Sequence, residues 1–325
     1  MAMTLMATIR HLTSKETTLV DRLATNFVRA ANVARSRVRR AACALLSIVL
    51  CSLHYSAKAD EVDAGPYVPT PQYIVDRMLQ MASVSGKDYV IDLGSGDGRI
   101  VITAARRFGA RGMGVDISEK LVDLATTNSH KEQVADLVKF VRQDAFNTDI
   151  SPASVLTLYL LPKFVLELRA RMLNQLKPGS RIVSHDYSLG DWDADNSITF
   201  DSPEKQVING ASRTSLFLYI VPANVAGTWQ LSLPEGLPPG TPQLSLQQRY
   251  QKISGTLLAP RGKALKHAAL RGDRIEFSLS IGARSYVAVG EVDGDRIVGT
   301  MEVAGRGKLP FTATRIAPGK AIGWD

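Results

Sequence analysis

The chain has 325 residues and a formal net charge of +8, but residues 1–59 hold nine Lys/Arg against two Asp/Glu, which leaves 60–325 at +1. The basic balance therefore belongs to a leader and gives no argument for a nucleic-acid partner. Both cysteines, Cys43 and Cys51, lie in that leader, so the body can have no disulfide, cysteine-ligated zinc or cysteine nucleophile.

In the leader, Arg35 to Arg40 is a basic stretch, residues 41–53 form an apolar run, and Ala57-Lys58-Ala59 precedes Asp60. This is the order of a cleaved signal peptide, which sends the body across a membrane to a periplasmic or secreted location. The apolar run falls short of the roughly 20 residues that a membrane span needs. Leu50 is too large for a lipoprotein site before Cys51, so no stable membrane anchor is expected. The basic stretch begins about 35 residues in, late for a signal, as a start codon set too early would explain. The leader is taken as 1–59, with one domain over 60–222 and another over 223–325.

The body opens with Tyr67-Val68-Pro69-Thr70-Pro71. Thr70 suits an N-cap and Pro71 a first helical residue. Ile74, Val75, Met78 and Leu79 then give one apolar helical stripe. Val90-Ile91-Asp92-Leu93 reads as a buried strand that runs into Gly94-Ser95-Gly96-Asp97-Gly98. A helix over 101–108 follows, ended by Gly109. Next come a strand over 112–116 with Asp116 at its tip, a helix over 119–134 and a strand over 138–141 before Gln143-Asp144-Ala145. A wholly apolar strand over 155–161, a helix over 162–176 and a strand over 181–186 complete the alternation. Such a pattern predicts a doubly wound parallel α/β sheet covered on both faces, with ligands at the carboxyl ends of its strands. Asp92, Asp116, Asp144, Tyr159 and Asp186 gather at that edge.

Residues 214–221 read as the last strand of this sheet. Beyond about residue 224 the pattern shifts to short alternating runs, such as Trp229/Leu231/Leu233 and Ile275/Phe277/Leu279/Ile281, with hairpin cues at Gly272-Asp273 and Asp293-Gly294-Asp295. Residues 233–242 are a loop. About 100 residues of this kind predict a small antiparallel β-barrel or sandwich without a metal cluster, its role structural, substrate-presenting or partner-recognising.

The glycine turn lets a ligand lie directly on the backbone, and the helix start behind it offers free N–H groups. A dinucleotide fingerprint needs its third glycine one position later, where Arg99 stands, and there is no Gly-Lys-Ser/Thr for a phosphate loop. The acid-Leu-Gly-Ser-Gly-Asp-Gly form instead resembles motif I of the seven-strand (class I, Rossmann-like) S-adenosylmethionine-dependent methyltransferases. Tyr67-Val-Pro-Thr-Pro71, Thr157-Leu-Tyr-Leu-Leu-Pro162, Lys177-Pro-Gly179 and Arg181-Ile-Val-Ser-His-Asp186 with Trp192 sharpen this. Together they resemble the archaeal broad-specificity protein lysine methyltransferases and the mitochondrial ATP synthase c-subunit lysine methyltransferases, over about 67–192. The Asn/Asp-Pro-Pro-Tyr clamp of amide- and base-modifying relatives is replaced by Tyr159-Leu160-Leu161-Pro162. The signal sequence and everything after Pro222 depart from the family.

The resemblance implies S-adenosyl-L-methionine as cofactor, held by Thr70, Asp92, Gly94, Ser95, Gly96, Gly98, Asp116 and Asp144. Within that set the glycines approach the methionine part, Asp116 accepts the ribose hydroxyls and Asp144 meets the adenine amino group. Methyl transfer from a sulfonium is an in-line displacement, for which alignment can contribute about 7–11 kcal/mol. The acceptor amine must be neutral, and a lysine of pKa ~10.4 is neutral in about one molecule in 2,500 at pH 7. Burial among apolar and aromatic groups relieves part of that penalty. Tyr159 and Trp192 are candidate walls of an acceptor channel, and Asp186 a candidate to orient the amine. His185, on the face opposite Asp186 by strand alternation, reads as structural.

The leading expectation is an exported enzyme that methylates protein lysine amines. Methylation of a small molecule and an exported binding protein that has lost turnover stand as alternatives. The last has a motive, because S-adenosylmethionine is made in the cytoplasm, on the other side of the membrane.

Overall fold

The computed structural model describes residues 67–233, 242–259, 263–281, 284–303 and 307–323. The signal-peptide and cleavage readings, both cysteines and most of the 233–242 loop lie outside the described residues. Residues 61–325 cluster as one compact unit that contains two sheets.

The first sheet has seven strands in the order β3-β2-β1-β4-β5-β7-β6. They are β1 (Tyr89–Leu93), β2 (Arg111–Asp116), β3 (Val138–Arg142), β4 (Val155–Leu158), β5 (Arg181–His185), β6 (Asn196–Asp201) and β7 (Arg213–Ile220). The first five are parallel, and β7 runs antiparallel to both β5 and β6. The sheet is therefore mixed rather than wholly parallel, because a short return through β6 needs no crossover helix.

Alternation along each strand divides the core into two layers. Val90, Val155 and Val183 face Ile74, Val75, Met78 and Leu79 of α1 (Gln72–Met81), together with Ile100 and Ala104 of α2 (Arg99–Phe108). Ile91, Leu93, Leu156, Leu158 and Ile182 face the other way, onto Phe164, Val165, Leu168 and Met172 of α4 (Pro162–Gln175). Between these, α3 (Glu119–Lys131) is capped by the Ser118 side chain. Gly109 ends α2 in the left-handed conformation, as the sequence predicts.

Three local expectations shift. Pro71, not Thr70, is the residue before α1, and no side chain caps that helix. Strand β4 stops at Leu158 rather than 161, since Tyr159 to Leu161 leave the sheet to enter α4, where Pro162 stands in the first turn. Strand β5 stops at His185, because Asp186 adopts φ +64° and breaks the extended run.

The second sheet has nine antiparallel strands, β8 (Gly227–Ser232), β9 (Gln243–Arg249), β10 (Lys252–Ala259), β11 (Lys263–Ala264), β12 (Lys266–Arg271), β13 (Arg274–Ile281), β14 (Arg284–Asp293), β15 (Arg296–Val303) and β16 (Gly307–Pro318), in the order β11-β10-β9-β8-β16-β15-β14-β13-β12. The two end strands, β11 and β12, are successive in the chain and joined at Leu265, whose N–H bonds to the Gly255 carbonyl of β10, so the sheet is a nearly closed barrel. Its interior is apolar, with Trp229, Leu244, Phe277, Tyr286 and Phe311 fully buried. Both hairpin cues hold as two-residue connections, with Gly272 at φ +62° and Gly294 at φ +55°. Among the described residues, no helix is long and apolar enough to cross a membrane.

Candidate functional site

Strand order reverses between β1 and β4, and at their carboxyl ends lies a cavity of about 330 Å³. Its walls come from the glycine turn, the tips of β2 and β3, the residues after β4 and the 67–70 segment in front of α1.

Asp116, at the end of β2, is the most prepared acid. Its Oδ2 accepts from the Gly96 N–H and its Oδ1 from the Ser118 N–H, each at 2.9 Å. Two backbone donors fix the carboxylate in place, and its remaining lone pairs are free for a diol. Asp92 is buried and accepts from the Thr157 hydroxyl at 2.7 Å. Burial pushes its pKa up to about 7, and the Asp116 and Asp97 charges push the same way. Asp144 lines the cavity, while its oxygens accept from the Phe146 N–H and the Asn147 side chain, so it also caps the short turn Ala145–Asn147.

The glycines divide in role. Gly94 and Ser95 line the cavity, but Gly96 and Gly98 do not. A Cβ on Gly96 would stand 2.3 Å from the Tyr67 ring, and one on Gly98 would meet Phe140 and Ala125 within 2.8 Å. Gly98 therefore serves the packing of strand and helix, and the expected approach of all three glycines to a ligand narrows to Gly94. Gly96 takes part through its N–H to Asp116.

The 67–70 segment is latched across the turn. Arg99 is paired with Asp97 at 2.5 Å and donates to the Thr70 carbonyl at 2.8 Å. Tyr67, Asp97 and Arg99 all line the cavity and were missed as site residues. Their signals were present: Tyr67 opens the Tyr-Val-Pro-Thr-Pro run, and Asp97 and Arg99 sit within the glycine turn.

Beyond the cofactor end, Tyr159 stacks on His185 with ring centroids 3.9 Å apart, and Tyr187 lies 6.4 Å from Tyr159 in an offset stack. His185 is fully buried, and its Nδ1 lies 3.4 Å from the Thr70 hydroxyl. Burial lowers the imidazole pKa to about 4, so it is neutral at pH 7. Burial and the nearby Asp186 carboxylate push the Tyr159 hydroxyl up, so it too is neutral. Asn209, at the end of α5 (Pro203–Asn209), reaches the Tyr159 hydroxyl at 3.4 Å.

Two expectations are corrected here. Trp192 is not a channel wall: it is buried in the core between Tyr219 and Tyr250, away from the cavity lining. Its place after β5 says which edge it is near, but packing decides where the ring points. Asp186 is not free to orient an amine, because Lys205 Nζ holds its Oδ2 at 2.5 Å and the Ser215 N–H donates to its Oδ1 at 3.2 Å. Lys205, itself buried, also donates to the Arg213 carbonyl, so both charges are compensated.

The residues fit an S-adenosylmethionine-type group. A fixed carboxylate at the β2 tip suits a ribose, the loop after β3 suits a purine edge, and Gly94 leaves room beside Leu160. The excess of acids over the single Arg99 cation at this end suits a sulfonium. When bound, the group supplies an activated methyl.

Similarity to known proteins agrees with this geometry. A family described as the ANTKMT methyltransferase domain matches residues 92–196. The protein-lysine N-methyltransferase of Saccharolobus islandicus is 38% identical over 157 residues, covering 48% of this chain and 93% of that protein. The ATP synthase c-subunit lysine N-methyltransferase of Caenorhabditis elegans is 30% identical over 155 residues, 46% of this chain and 80% of its own length. Among solved structures, an RNA methyltransferase from Salinibacter ruber in complex with S-adenosyl-L-homocysteine is 43% identical. That match covers 53% of this chain and all of that one, with a TM-score of 0.44.

Proposed function

The chain belongs to the family of S-adenosyl-L-methionine-dependent methyltransferases that includes the Saccharolobus islandicus protein-lysine N-methyltransferase, and on that premise we propose that its acceptors are lysine amines of proteins. The observation that carries this reading is the neutral aromatic wall at the end of the cavity. Tyr159, stacked on a neutral His185, meets the incoming group with ring faces and no free carboxylate. Such a wall can receive an ammonium by its ring faces. It also disfavours the charged form by desolvation, which promotes loss of the proton before transfer. The chain's own residues thus orient the amine and exclude water, while Asp116 and the latched 67–70 segment hold the cofactor end.

Radiolabelled methyl transfer into a cell extract tests the acceptor class. Label in protein that hydrolyses to methylated lysine supports the reading. Label confined to small molecules or to RNA, the acceptor named for the Salinibacter ruber relative, overturns it.

We further propose export. The support is the basic stretch Arg35 to Arg40, the apolar run after it and Ala57-Lys58-Ala59. A mature N-terminus at Asp60 outside the cytoplasm is expected, and a full-length cytoplasmic protein would refute it.

A further inference from the structure

The barrel meets the first sheet at two of its turns: Gly272, in the β12–β13 turn, packs against Gly179 and Ile220, and the β9–β10 turn makes the polar contacts. Tyr250 and Gln251, between β9 (Gln243–Arg249) and β10 (Lys252–Ala259), press on the loop over residues 186–195 that joins β5 to β6. The Tyr250 ring is parallel to Trp192, 5.5 Å between centroids and 3° between planes, and is buried in the core of the first sheet. Its hydroxyl donates to Asp191 Oδ1 at 2.8 Å, and Arg249 donates to Asp191 Oδ2 at 2.7 Å. From the other side Arg169 of α4 reaches the same carboxylate at 2.5 Å and the Leu189 carbonyl at 3.1 Å. The Tyr219 hydroxyl accepts from the Leu189 N–H.

This loop starts at the acceptor wall. Asp186 and Tyr187 are its first residues, and the Tyr187 carbonyl is tied back to the Ser184 hydroxyl at 2.5 Å. One end of this ten-residue segment thus lies beside Tyr159, which lines the cavity, and the other is gripped by the barrel. The Saccharolobus islandicus relative is matched over 93% of its length by 157 residues, so a barrel of this size has no counterpart there.

We propose that the β9–β10 turn is a positioning element: through Tyr250 and Asp191 the barrel sets the 186–195 loop, and with it the acceptor side of the site. Neither residue lines the cavity. The proposal extends the amine-acceptor reading, but its test does not depend on that reading alone. The full-length chain carrying Tyr250→Ala is compared with Tyr250→Phe, which keeps the ring stack. Asp191→Ala is the milder variant, breaking only polar contacts at a partly exposed position.

Three readouts are used: KM for poly-L-lysine with tritiated S-adenosylmethionine, calorimetric affinity for S-adenosylmethionine, and amide exchange at residues 187–190. Tyr250→Ala is expected to raise the poly-L-lysine KM by about 10-fold and to speed exchange, with cofactor affinity unchanged and recovery in Tyr250→Phe. Asp191→Ala should move KM and exchange the same way, to a smaller extent. Unchanged KM and exchange in both variants overturn the proposal, as does a parallel fall in cofactor affinity, which would signal general loosening. If the wild type transfers nothing to poly-L-lysine, the amine reading fails, and loop exchange alone decides the positioning role.

Discussion

The two sheets differ in what they bury. Around the first sheet the interior takes in Asp92, His185, Lys205, Thr157 and Ser184, whereas in the barrel Gln248 is the one buried polar side chain among the described residues besides the aromatic Trp229 and Tyr286. Gln248 is fully satisfied there, with its amide bonded to the Ala223 and Tyr250 carbonyls and accepting from the Val225 N–H. The first interior holds groups whose burial costs folding energy. The second is apolar filling, with one amide that pins a turn. The difference teaches where buried polar groups are concentrated: around the first sheet, at whose carboxyl edge the cavity lies.

The largest test of that contrast is in the barrel. Phe277→Ala removes a fully buried ring packed edge-on against Phe311 and should cost about 3–5 kcal/mol of folding stability. Calorimetric cofactor affinity should not move, and if it falls as well, the two regions are not separable. Next comes Tyr159→Ala, expected to lower kcat by about 100-fold through lost acceptor alignment while cofactor Kd stays near the wild-type value. An equal loss in both would place Tyr159 at the cofactor end instead. Asp116→Ala should weaken S-adenosylmethionine binding by about 1–3 kcal/mol, as for a lost polar partner. Unchanged affinity would show that the acid serves only Gly96 and Ser118.

The smallest effects are in the pH dependence of stability, and there the sign is informative. The Asp92 pKa is raised by folding to about 7, so the native state binds more protons than the unfolded one, and stability falls as pH rises from about 4 towards 7. The His185 pKa is lowered to about 4, so stability is lost as pH falls from about 6.5 towards 4. The two slopes oppose over most of that window. Asp92→Asn should therefore leave a rising curve and His185→Gln a falling one, both read by chemical unfolding at stepped pH. Parallel curves would mean that one of these groups is not buried as described.

Much of this was legible in the residues, and what was not has physical causes. The glycine turn, the acid at the β2 tip and the order of strands and helices through β5 follow from spacing and period. The roles within the turn did not, since Gly98 is reserved for Phe140 and Ala125, partners distant in the chain. His185 was set on the face opposite Asp186 by alternation, but alternation ends where Asp186 turns to φ +64°. The ring then stacks on Tyr159, beside the site. Lys205 carried no sequence signal as the partner of Asp186, because β6 and α5 had no clear period of their own. Trp192 lies at the expected edge of the sheet, but its stacking partner is a barrel residue nearly 60 positions away, which local spacing does not reveal.

Gly323 has a practical consequence. At φ +110° its Cα lies so close to Tyr250 that an added methyl would stand 2.2 Å from the ring. The adjacent Ile322 exchanges backbone bonds with Gln248 and Tyr250. Gly323 is thus a wedge behind the β9–β10 turn. A saturation scan should find position 323 nearly as intolerant as the protein's centre, because any side chain there displaces the ring.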